Sequence, residues 1–492
     1  MASRAERPPS KPKLRPAAAL HIMNPRAAAL FNALEPHAAV SGDPWSRLRG
    51  LLERHAGTEF GRAHGFGAIR SPEEFREAIP PMNYEDHRSW IEHAANGERG
   101  VLACDELLGF ERSSGTSSRP KWIPLTAGLQ EEFACGLAAW FGGWRTRRPE
   151  VFAGRAYWAL SPAGMAAETT PGGLPVGMTG DAAYFPEAVG ARLADWLVVP
   201  NLSGDLSALF DETAETLLAT PDLGLVSVWS PTFLLGIDAA VQRRRPGKTW
   251  SDLWPKLALA SCWADASSAP WIPLLRERLG TVAIEPKGLL ATEGITSLPD
   301  ATDGSPRLAA ECHWHEFLDE EGRFTELRDL KLGCDYEVLL TTAGGLFRYR
   351  SGDRVRVTAT NGLPRLRFTG RSGAVSDLVG EKLHESEVLA ALLETASRGL
   401  VAAIPQRPGY DLWLEDPAPG PSIIQLLRRN PYFDQALRLR QLAPLRIRKL
   451  PGGWTTRLAA SLAALRGGRF GDMKMPLLVT TQHEEEMEQW LG

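Results

Sequence analysis

Apolar and polar positions repeat with a helical period in the first quarter of the chain. From about Pro25 to Gly136, apolar residues recur at the three- and four-residue spacing of helices and are separated by polar turns. Ser71-Pro72-Glu73-Glu74 marks one helix start, because Ser can cap the helix, Pro fits its first position and Glu stands at its third. We therefore expect this part of the chain to be helical.

Between residues 150 and 360, short β-rich runs alternate with helical runs. This alternation predicts an α/β fold with a largely covered sheet. The predicted strands are Ala156–Leu160, Leu225–Trp229, Val282–Ile284, Tyr336–Thr341 and Val355–Thr358, and the predicted helices are Asp205–Ala219 and Trp271–Leu279.

Gly370-Arg371-Ser372-Gly373 interrupts the alternation, and a compact α+β set of elements follows. There the pattern predicts helices over Glu385–Ala396, Asn430–Leu442 and Trp454–Leu465, and strands over Asp411–Glu415 and Leu445–Lys449. We expect a disordered tail at residues 1–20, a large domain at 21–370 and a small, mobile α+β domain at 371–492.

Composition and charge narrow the class of protein. The 492 residues are 43% apolar and carry a net charge of −4, which fits a globular protein and argues against broad nucleic-acid binding. The longest uncharged apolar stretch, Leu223–Ile237, is shorter than the ~20 residues that span a bilayer. Five scattered cysteines without a CxxC pair, and no secretory signal, favour a cytoplasmic location. Membrane and nucleic-acid partners are not expected, and the oligomeric state is not indicated.

One loop has the composition of a phosphate-binding turn. The segment Ser113-Ser114-Gly115-Thr116-Ser117-Ser118-Arg119-Pro120-Lys121 places small hydroxyl residues around a glycine. Its N–H and O–H donors can surround phosphate oxygens, and Lys121 adds a positive charge at its end. A flexible, serine-rich surface loop is the alternative.

Four further motifs offer single charged groups. Glu293, in Thr292-Glu293-Gly294, is a carboxylate of the kind that holds Mg²⁺ beside phosphates, and Asp353, after a tight glycine turn, can accept both ribose hydroxyls. Lys382 and Lys474 stand in glycine-containing segments, and lysines are scarce in this chain. Each motif alone is equally compatible with an ordinary surface turn.

Taken in order, these motifs resemble the Gretchen Hagen 3 (auxin-responsive promoter) family of acyl-acid amido synthetases, part of the adenylate-forming superfamily. The resemblance covers nearly the whole chain. The segments that carry it are Thr58–Gly61, Ile79–Asp86, Ser113–Pro124, Val228–Pro231, Thr292–Gly294, Tyr349–Asp353, Gly380–Lys382, Asn430–Tyr432 and Gly471–Pro476. It implies a large N-terminal adenylate-forming domain, with β-sheets and packed helices, and a small mobile C-terminal domain.

The resemblance also implies roles for individual residues. Ser113, Ser114, Gly115, Thr116, Ser117, Ser118 and Lys121 are similar to the ATP phosphate loop, and Glu293 to the acid associated with Mg²⁺. Asp353 corresponds to the ribose clamp, Arg371 to a nucleotide contact at the domain junction, and Lys382 and Lys474 to the active-site lysines of the C-terminal domain. Thr292 and Leu289 are similar to residues of the nucleotide site, although Leu289 replaces the aromatic residue that usually packs on adenine.

The implied reaction has two steps. A small carboxylic acid reacts with ATP to give acyl-AMP and pyrophosphate, and the amine of an amino acid or related compound then displaces AMP. One alternative is a ligase of the same superfamily that passes the acyl group to coenzyme A or a carrier protein. The other is a non-catalytic, nucleotide-binding scaffold.

Overall fold

The computed structural model describes residues 23–38, 43–113, 121–159, 168–177, 181–203, 208–371, 375–404, 408–466 and 470–480. The expected N-terminal tail, the phosphate-loop residues Ser114–Pro120 and the junction residues Ser372 and Gly373 lie outside these ranges.

Several helices begin at polar caps, as the sequence predicts for Ser71. Ser71 Oγ accepts a hydrogen bond from Glu74 N, and Asn430 Oδ1 accepts from the first turn of its helix. The helices are α1 (Pro25–Leu34), α2 (Pro44–His55), α3 (Glu59–Ala63), α4 (Pro72–Ala78), α5 (Tyr84–Ala95), α6 (Ala127–Arg147), α7 (Glu187–Trp196), α8 (Leu209–Leu218), α9 (Pro231–Arg244), α10 (Trp250–Leu253), α11 (Ile272–Leu279), α12 (Glu385–Glu394), α13 (Gly420–Leu427), α14 (Pro431–Arg438) and α15 (Trp454–Arg466).

The strands fall into two main sheets and several smaller ones. They are β1 (Leu107–Ser113), β2 (Lys121–Thr126), β3 (Arg155–Trp158), β4 (Glu168–Thr169), β5 (Pro175–Val176), β6 (Leu223–Ser227), β7 (Leu259–Cys262), β8 (Ala283–Pro286), β9 (Leu290–Ala291), β10 (Gly294–Ile295), β11 (Ser297–Pro299), β12 (Pro306–Leu308), β13 (Trp314–Leu318), β14 (Phe324–Thr325), β15 (Asp335–Thr341), β16 (Tyr349–Ala359), β17 (Arg365–Arg371), β18 (Val375–Ser376), β19 (Leu383–His384), β20 (Gly399–Ala403), β21 (Tyr410–Leu414), β22 (Arg446–Lys449) and β23 (Leu478–Val479).

A parallel sheet of order β3-β6-β7-β8 forms the first main layer. Successive residues of its strands face opposite sides, so Trp158 packs with α1, α6 and α7 while Tyr157 packs with α8, α9 and α11. Both faces are therefore buried, as the alternating pattern of strands and helices predicts.

A seven-stranded antiparallel sheet of order β11-β12-β17-β16-β15-β13-β14 forms the second main layer. Helices α2–α5 share a core with Tyr349 of this sheet and with Phe347, which lies between β15 and β16. Leu289 packs with Val355, Val357 and Leu366 of β16 and β17. The mixed α/β class is confirmed. The covered parallel sheet, however, ends at Pro286, and the later predicted strands belong to the antiparallel sheet.

The helical expectation for Pro25–Gly136 is wrong at β1 and β2, which pair as an antiparallel hairpin from Leu107↔Thr126 to Ser113↔Lys121. The apolar residues of β1 and β2 contact both helices and other strands. The spacing of these residues along the chain therefore did not distinguish the two strands from helices. The apolar stretch Leu223–Ile237 becomes β6 and the beginning of α9.

None of the described helices combines the length and the hydrophobicity that a membrane span requires.

The C-terminal residues form a sheet of order β22-β21-β20-β23 with α12–α14 packed on it. Helix α15 packs on α9, and Met473 and Met475 join the core that contains α8, α9 and α11. The segment around Lys474 is thus held against the parallel sheet's helices rather than lying free.

Gly288 connects the two main sheets, and its conformation tolerates no side chain. Its φ is +85°, and an added Cβ would lie 2.3 Å from Ser297 O. We expect Gly288→Ala to lower the free energy of unfolding by more than ~1 kcal/mol, since both backbone strain and a steric clash oppose it. Gly142→Ala, inside α6 with open space around it, should instead raise it by ~0.5–1 kcal/mol. Equal effects in chemical denaturation would contradict this account of the connection.

Candidate functional site

A buried ion pair stands at the centre of the candidate site. Strands β16 and β17 are antiparallel, and their register places Asp353 opposite Arg371. Arg371 Nε donates to Asp353 Oδ1 at 2.8 Å, and Ser351 Oγ donates to Asp353 Oδ2 at 3.0 Å. Burial alone would raise the pKa of Asp353, but the positive charges of Arg371 and Lys474 hold it below its ordinary value. Asp353 is therefore a carboxylate in the folded protein.

Glu293 lies in the turn that joins β9 to β10, where Gly294 pairs with Ala291. Its side chain is buried, and its negative charge acts on Lys121, Arg371 and Lys474. Thr292, beside it, is half-buried.

Lys121 opens β2, directly opposite Ser113 at the end of β1. Its Nζ lies 5.6 Å from the centre of the Tyr84 ring. Burial lowers the pKa of Lys121, although Glu293 and Asp353 act in the opposite direction. Since Ser113 and Lys121 are paired, the two ends of the loop that the sequence predicts to bind phosphate lie side by side, and Lys121 is within electrostatic reach of Glu293.

Lys474 comes from the other end of the chain, just after the turn Phe470–Asp472. Its Nζ lies 4.8 Å from the ring centre of Phe368 and 5.2 Å from that of Trp263. Burial, together with the positive charge of Arg371, lowers the pKa of Lys474 to about 8. The structure thus brings Lys121, Glu293, Asp353, Arg371 and Lys474 together; these five residues are called the charge cluster below.

Two of the residues named from the sequence lie apart from the charge cluster. Lys382 is exposed, with a positive φ of 45°, and Asn430 Nδ2 donates to its carbonyl oxygen. Among the described residues, no hydrogen bond or ring contact joins its ammonium group to the cluster. The Leu289 side chain is only 6% exposed and packs in the core beneath the antiparallel sheet.

Tyr349 belongs to the site but received no role from the sequence. It is fully buried in β16, and Glu293, Arg371 and Asp353 all act on it electrostatically. Burial raises its pKa, so the phenol keeps its proton, and its hydroxyl has no hydrogen-bond partner in the described part of the chain. The sequence feature that could have identified Tyr349 as a site residue is its position in the motif Tyr349–Asp353, which also contains Asp353. Trp263 and Phe368, which flank Lys474, were missed because their contact is not local in sequence.

The charge cluster contains three cations and two carboxylates. Groups of this kind suit a ligand that carries several negative charges. Asp353 keeps a further lone pair on each oxygen beyond those used by Arg371 and Ser351, so it can also accept hydrogen bonds from hydroxyl groups.

Comparison with protein-family models matches residues 46–235 to the GH3 family N-terminal domain and residues 307–371 to the GH3 family central domain. Together these matches cover more than half of the chain. The chain belongs to the GH3 family.

Curated relatives agree with this membership. The GH3 chain is 26% identical to the indole-3-acetic acid-amido synthetase GH3.15 of Arabidopsis thaliana over 421 residues, covering 70% of each chain. It is 23% identical to the jasmonoyl-L-amino acid synthetase JAR6 of Nicotiana attenuata, covering 72% of this chain and 73% of that one.

Solved structures share the fold of this GH3 chain. The structure of the GH3.15 acyl acid amido synthetase matches 98% of this chain and 97% of its own with a TM-score of 0.76 at 21% identity. A 2-hydroxyisobutyryl-CoA ligase in the postadenylation state, in complex with 2-HIB-AMP, matches 91% of both chains with a TM-score of 0.55 at 14% identity.

The unpaired hydroxyl of Tyr349 predicts an unusual response to its removal. Tyr349→Phe should leave the free energy of unfolding unchanged or raise it by ~1–3 kcal/mol, because it removes a buried polar group without a partner. Tyr410 is the matched control: it is equally buried, but its hydroxyl donates to the Glu381 carboxylate and shares a second hydrogen bond with the Ser376 hydroxyl. Tyr410→Phe should cost ~1–3 kcal/mol. Equal losses in the two variants would show that Tyr349 has a partner within the protein.

Proposed function

We propose that this GH3 protein is an ATP-dependent acyl-acid amido synthetase. The observation that carries the proposal is the charge cluster, which gathers cations from three distant parts of the chain around two buried carboxylates. Family membership supports the same activity, since curated relatives are amido synthetases.

In the first half-reaction, an oxygen of a small carboxylic acid attacks the α-phosphorus of ATP. A P–O bond forms, the bond to the bridging oxygen breaks, and pyrophosphate leaves with that electron pair. In the second, the nitrogen of an amino acid or related amine attacks the acyl carbonyl carbon. The amide bond forms, AMP leaves, and the nitrogen loses its proton to solvent or to AMP.

The residues of the charge cluster divide this work. Lys121 and the loop Ser113–Ser118 contact the phosphates, and Asp353 accepts the ribose hydroxyls. Arg371 orients Asp353 and adds positive charge. Lys474 stabilises the charge that builds up on the α-phosphate and the attacking carboxylate, an interaction made mainly in the transition state.

Glu293 fits the place of a Mg²⁺ ligand. Mg²⁺ takes one or two carboxylates and fills its remaining positions with phosphate oxygens and water, and Glu293 is a buried carboxylate beside the phosphate-binding cations. When bound, the ion would neutralise phosphate charge. Tyr349 supplies the same region with a neutral donor for a phosphate oxygen.

A screen for products tests this function. Purified protein is given ATP, Mg²⁺ and a panel of carboxylic acids, and pyrophosphate release is measured. Positive acids are then incubated with mixed amino acids, or with coenzyme A, and products are identified by mass spectrometry. Amides confirm the proposal, thioesters support the ligase alternative, and no pyrophosphate with any acid supports a nucleotide-binding scaffold.

The two lysines from the C-terminal part should affect different half-reactions. Lys474→Ala should reduce acid-dependent pyrophosphate release by ~100-fold or more, as loss of a transition-state donor does elsewhere. It should keep amide formation from chemically supplied acyl-AMP. Lys382, which is exposed and outside the charge cluster, should show the reverse: Lys382→Ala keeps pyrophosphate release and slows amide formation, because reaching the site requires movement of its domain. Equal damage to both half-reactions in either variant would contradict these roles.

The pKa of Lys474 predicts how the rate depends on pH. With a pKa of about 8, Lys474 is charged below that pH and neutral above it, so kcat/KM for pyrophosphate release should fall above pH 8. Lys474→Arg keeps its charge, so its profile should stay flat to higher pH. An identical alkaline limb in both proteins would assign it to another group.

A further inference from the structure

A second lysine is buried at the edge of the parallel sheet where ligands of such sheets bind. In open α/β sheets, ligands occupy the crevice outside the carboxyl ends of the strands. Ser227 is the last residue of β6, Trp158 ends β3, and Lys287 directly follows β8. All three therefore lie at the same edge, and Lys287 stands six residues before Glu293.

Aromatic rings enclose the ammonium group of Lys287. Its Nζ lies 5.0 Å from the ring centre of Trp140, 4.9 Å from Trp158 and 4.9 Å from Trp229. It also donates a hydrogen bond to Ser227 Oγ, and the side chain is fully buried. Indole faces attract a cation, so three of them fix the position of this charge.

Three buried donors without partners belong to residues near Lys287. The indole N–H groups of Trp140 and Trp158, and the hydroxyl of Ser261, are buried and have no hydrogen-bond partner in the described residues. Ser261 pairs with Ser227 in the sheet register, so it lies on the neighbouring strand. Indole is a donor only, and a buried donor that lacks an acceptor destabilises the protein. The group that matches these donors is an oxygen acceptor.

A pair of half-buried tryptophans connects this place to the charge cluster. Trp229 contacts Lys287 on one side and Trp263 on the other, with ring centres 5.6 Å apart. Trp263 in turn contacts Lys474. Two indole rings thus separate two fixed ammonium groups, one at each end.

We propose that the acyl acid lies along Trp229 and Trp263, with its reacting carboxylate toward Lys474 and a second oxygen acceptor, a carboxylate or carbonyl, bound by the donors around Lys287. This inference rests on the proposed function and names its substrate class. Acids with a polar far end are substrates, and purely hydrocarbon acids are poor ones.

The test compares acids that differ only at the far end. Hexanoate is paired with adipate, and phenylacetate with 4-carboxyphenylacetate, in calorimetric titrations with α,β-methylene ATP present to prevent pyrophosphate release. The wild-type protein should bind each diacid ~10-fold or more tightly than its partner, as expected for a charge-assisted hydrogen bond. Lys287→Met should remove this preference. Lys331→Met, at an exposed lysine, is the control and should retain it.

A second variant covers the case in which Lys287→Met does not fold. Trp158→Phe keeps a ring but removes an unpartnered N–H, so it should reduce the diacid preference ~3-fold or more. An unchanged preference in both variants, or none in the wild-type protein, overturns the proposal. The proposal is also overturned if added chloride abolishes the diacid preference of the wild-type protein, since the donors would then hold a solvent anion.

The binding experiment separates this inference from the proposed function. If diacids bind through Lys287 but no acid releases pyrophosphate with ATP, the proposed function fails and the acceptor site stands. If hydrocarbon acids are converted to amides as well as diacids are, and Lys287→Met does not change this, the function stands and the acceptor site fails.

Discussion

The rest of the site depends on the cost of burying Asp353. A lone carboxylate in this position would take up a proton or destabilise the fold by several kcal/mol, because it has lost its hydration. Arg371, held opposite it by the antiparallel register, makes the charged form stable. The other charged side chains of the cluster are then stable only where the charges of this ion pair and of one another are compensated. Lys121 and Lys474 are tolerated near Arg371 because Glu293 and Asp353 compensate them.

The position of Lys474 shows how a segment distant in sequence can complete such a site. Its ammonium rests on Trp263 and Phe368, contacts worth ~0.5–2 kcal/mol each, which a domain movement could break. Burial also weakens its hold on its proton, so Lys474 binds that proton more tightly whenever it leaves the site. A polyanionic ligand would favour the buried, charged form. Binding of such a ligand and burial of the segment around Lys474 would therefore be linked through the charge of the Lys474 ammonium group.

The sequence predicted best what is local. Caps at Ser71 and Asn430 define helix starts because donor and acceptor are within a few residues. The hairpin of β1 and β2 was missed because the spacing of its apolar residues resembled that of helices. The seven-stranded sheet was not distinguished from the parallel sheet, since pairing between strands far apart in sequence, such as β12 with β17, leaves no short-range pattern. The structure places Glu293, Asp353, Arg371 and Lys474, to which the resemblance assigns roles, within electrostatic reach of one another. The resemblance gave no role to Tyr349 or Lys287, whose surroundings are buried atoms and rings from remote elements. Lys382 illustrates the converse, a motif residue that this arrangement leaves on the surface.

If the acid binds near Lys287 as proposed, the segment from Lys287 to Glu293 couples acid recognition to nucleotide binding. Lys287 N donates to Cys262 O and so belongs to the edge of the parallel sheet, whereas Leu289 N donates to Ser297 Oγ beside the antiparallel one. Only the positive φ of Gly288 lets the chain turn between them. Two residues after Gly288 the chain enters the hairpin of β9 and β10, which carries Glu293. A substitution that moves Lys287 to suit another acid therefore also moves the carboxylate beside the phosphates, so substrate preference should change most readily through Trp140, Trp158 and Trp229, which reach Lys287 from other elements.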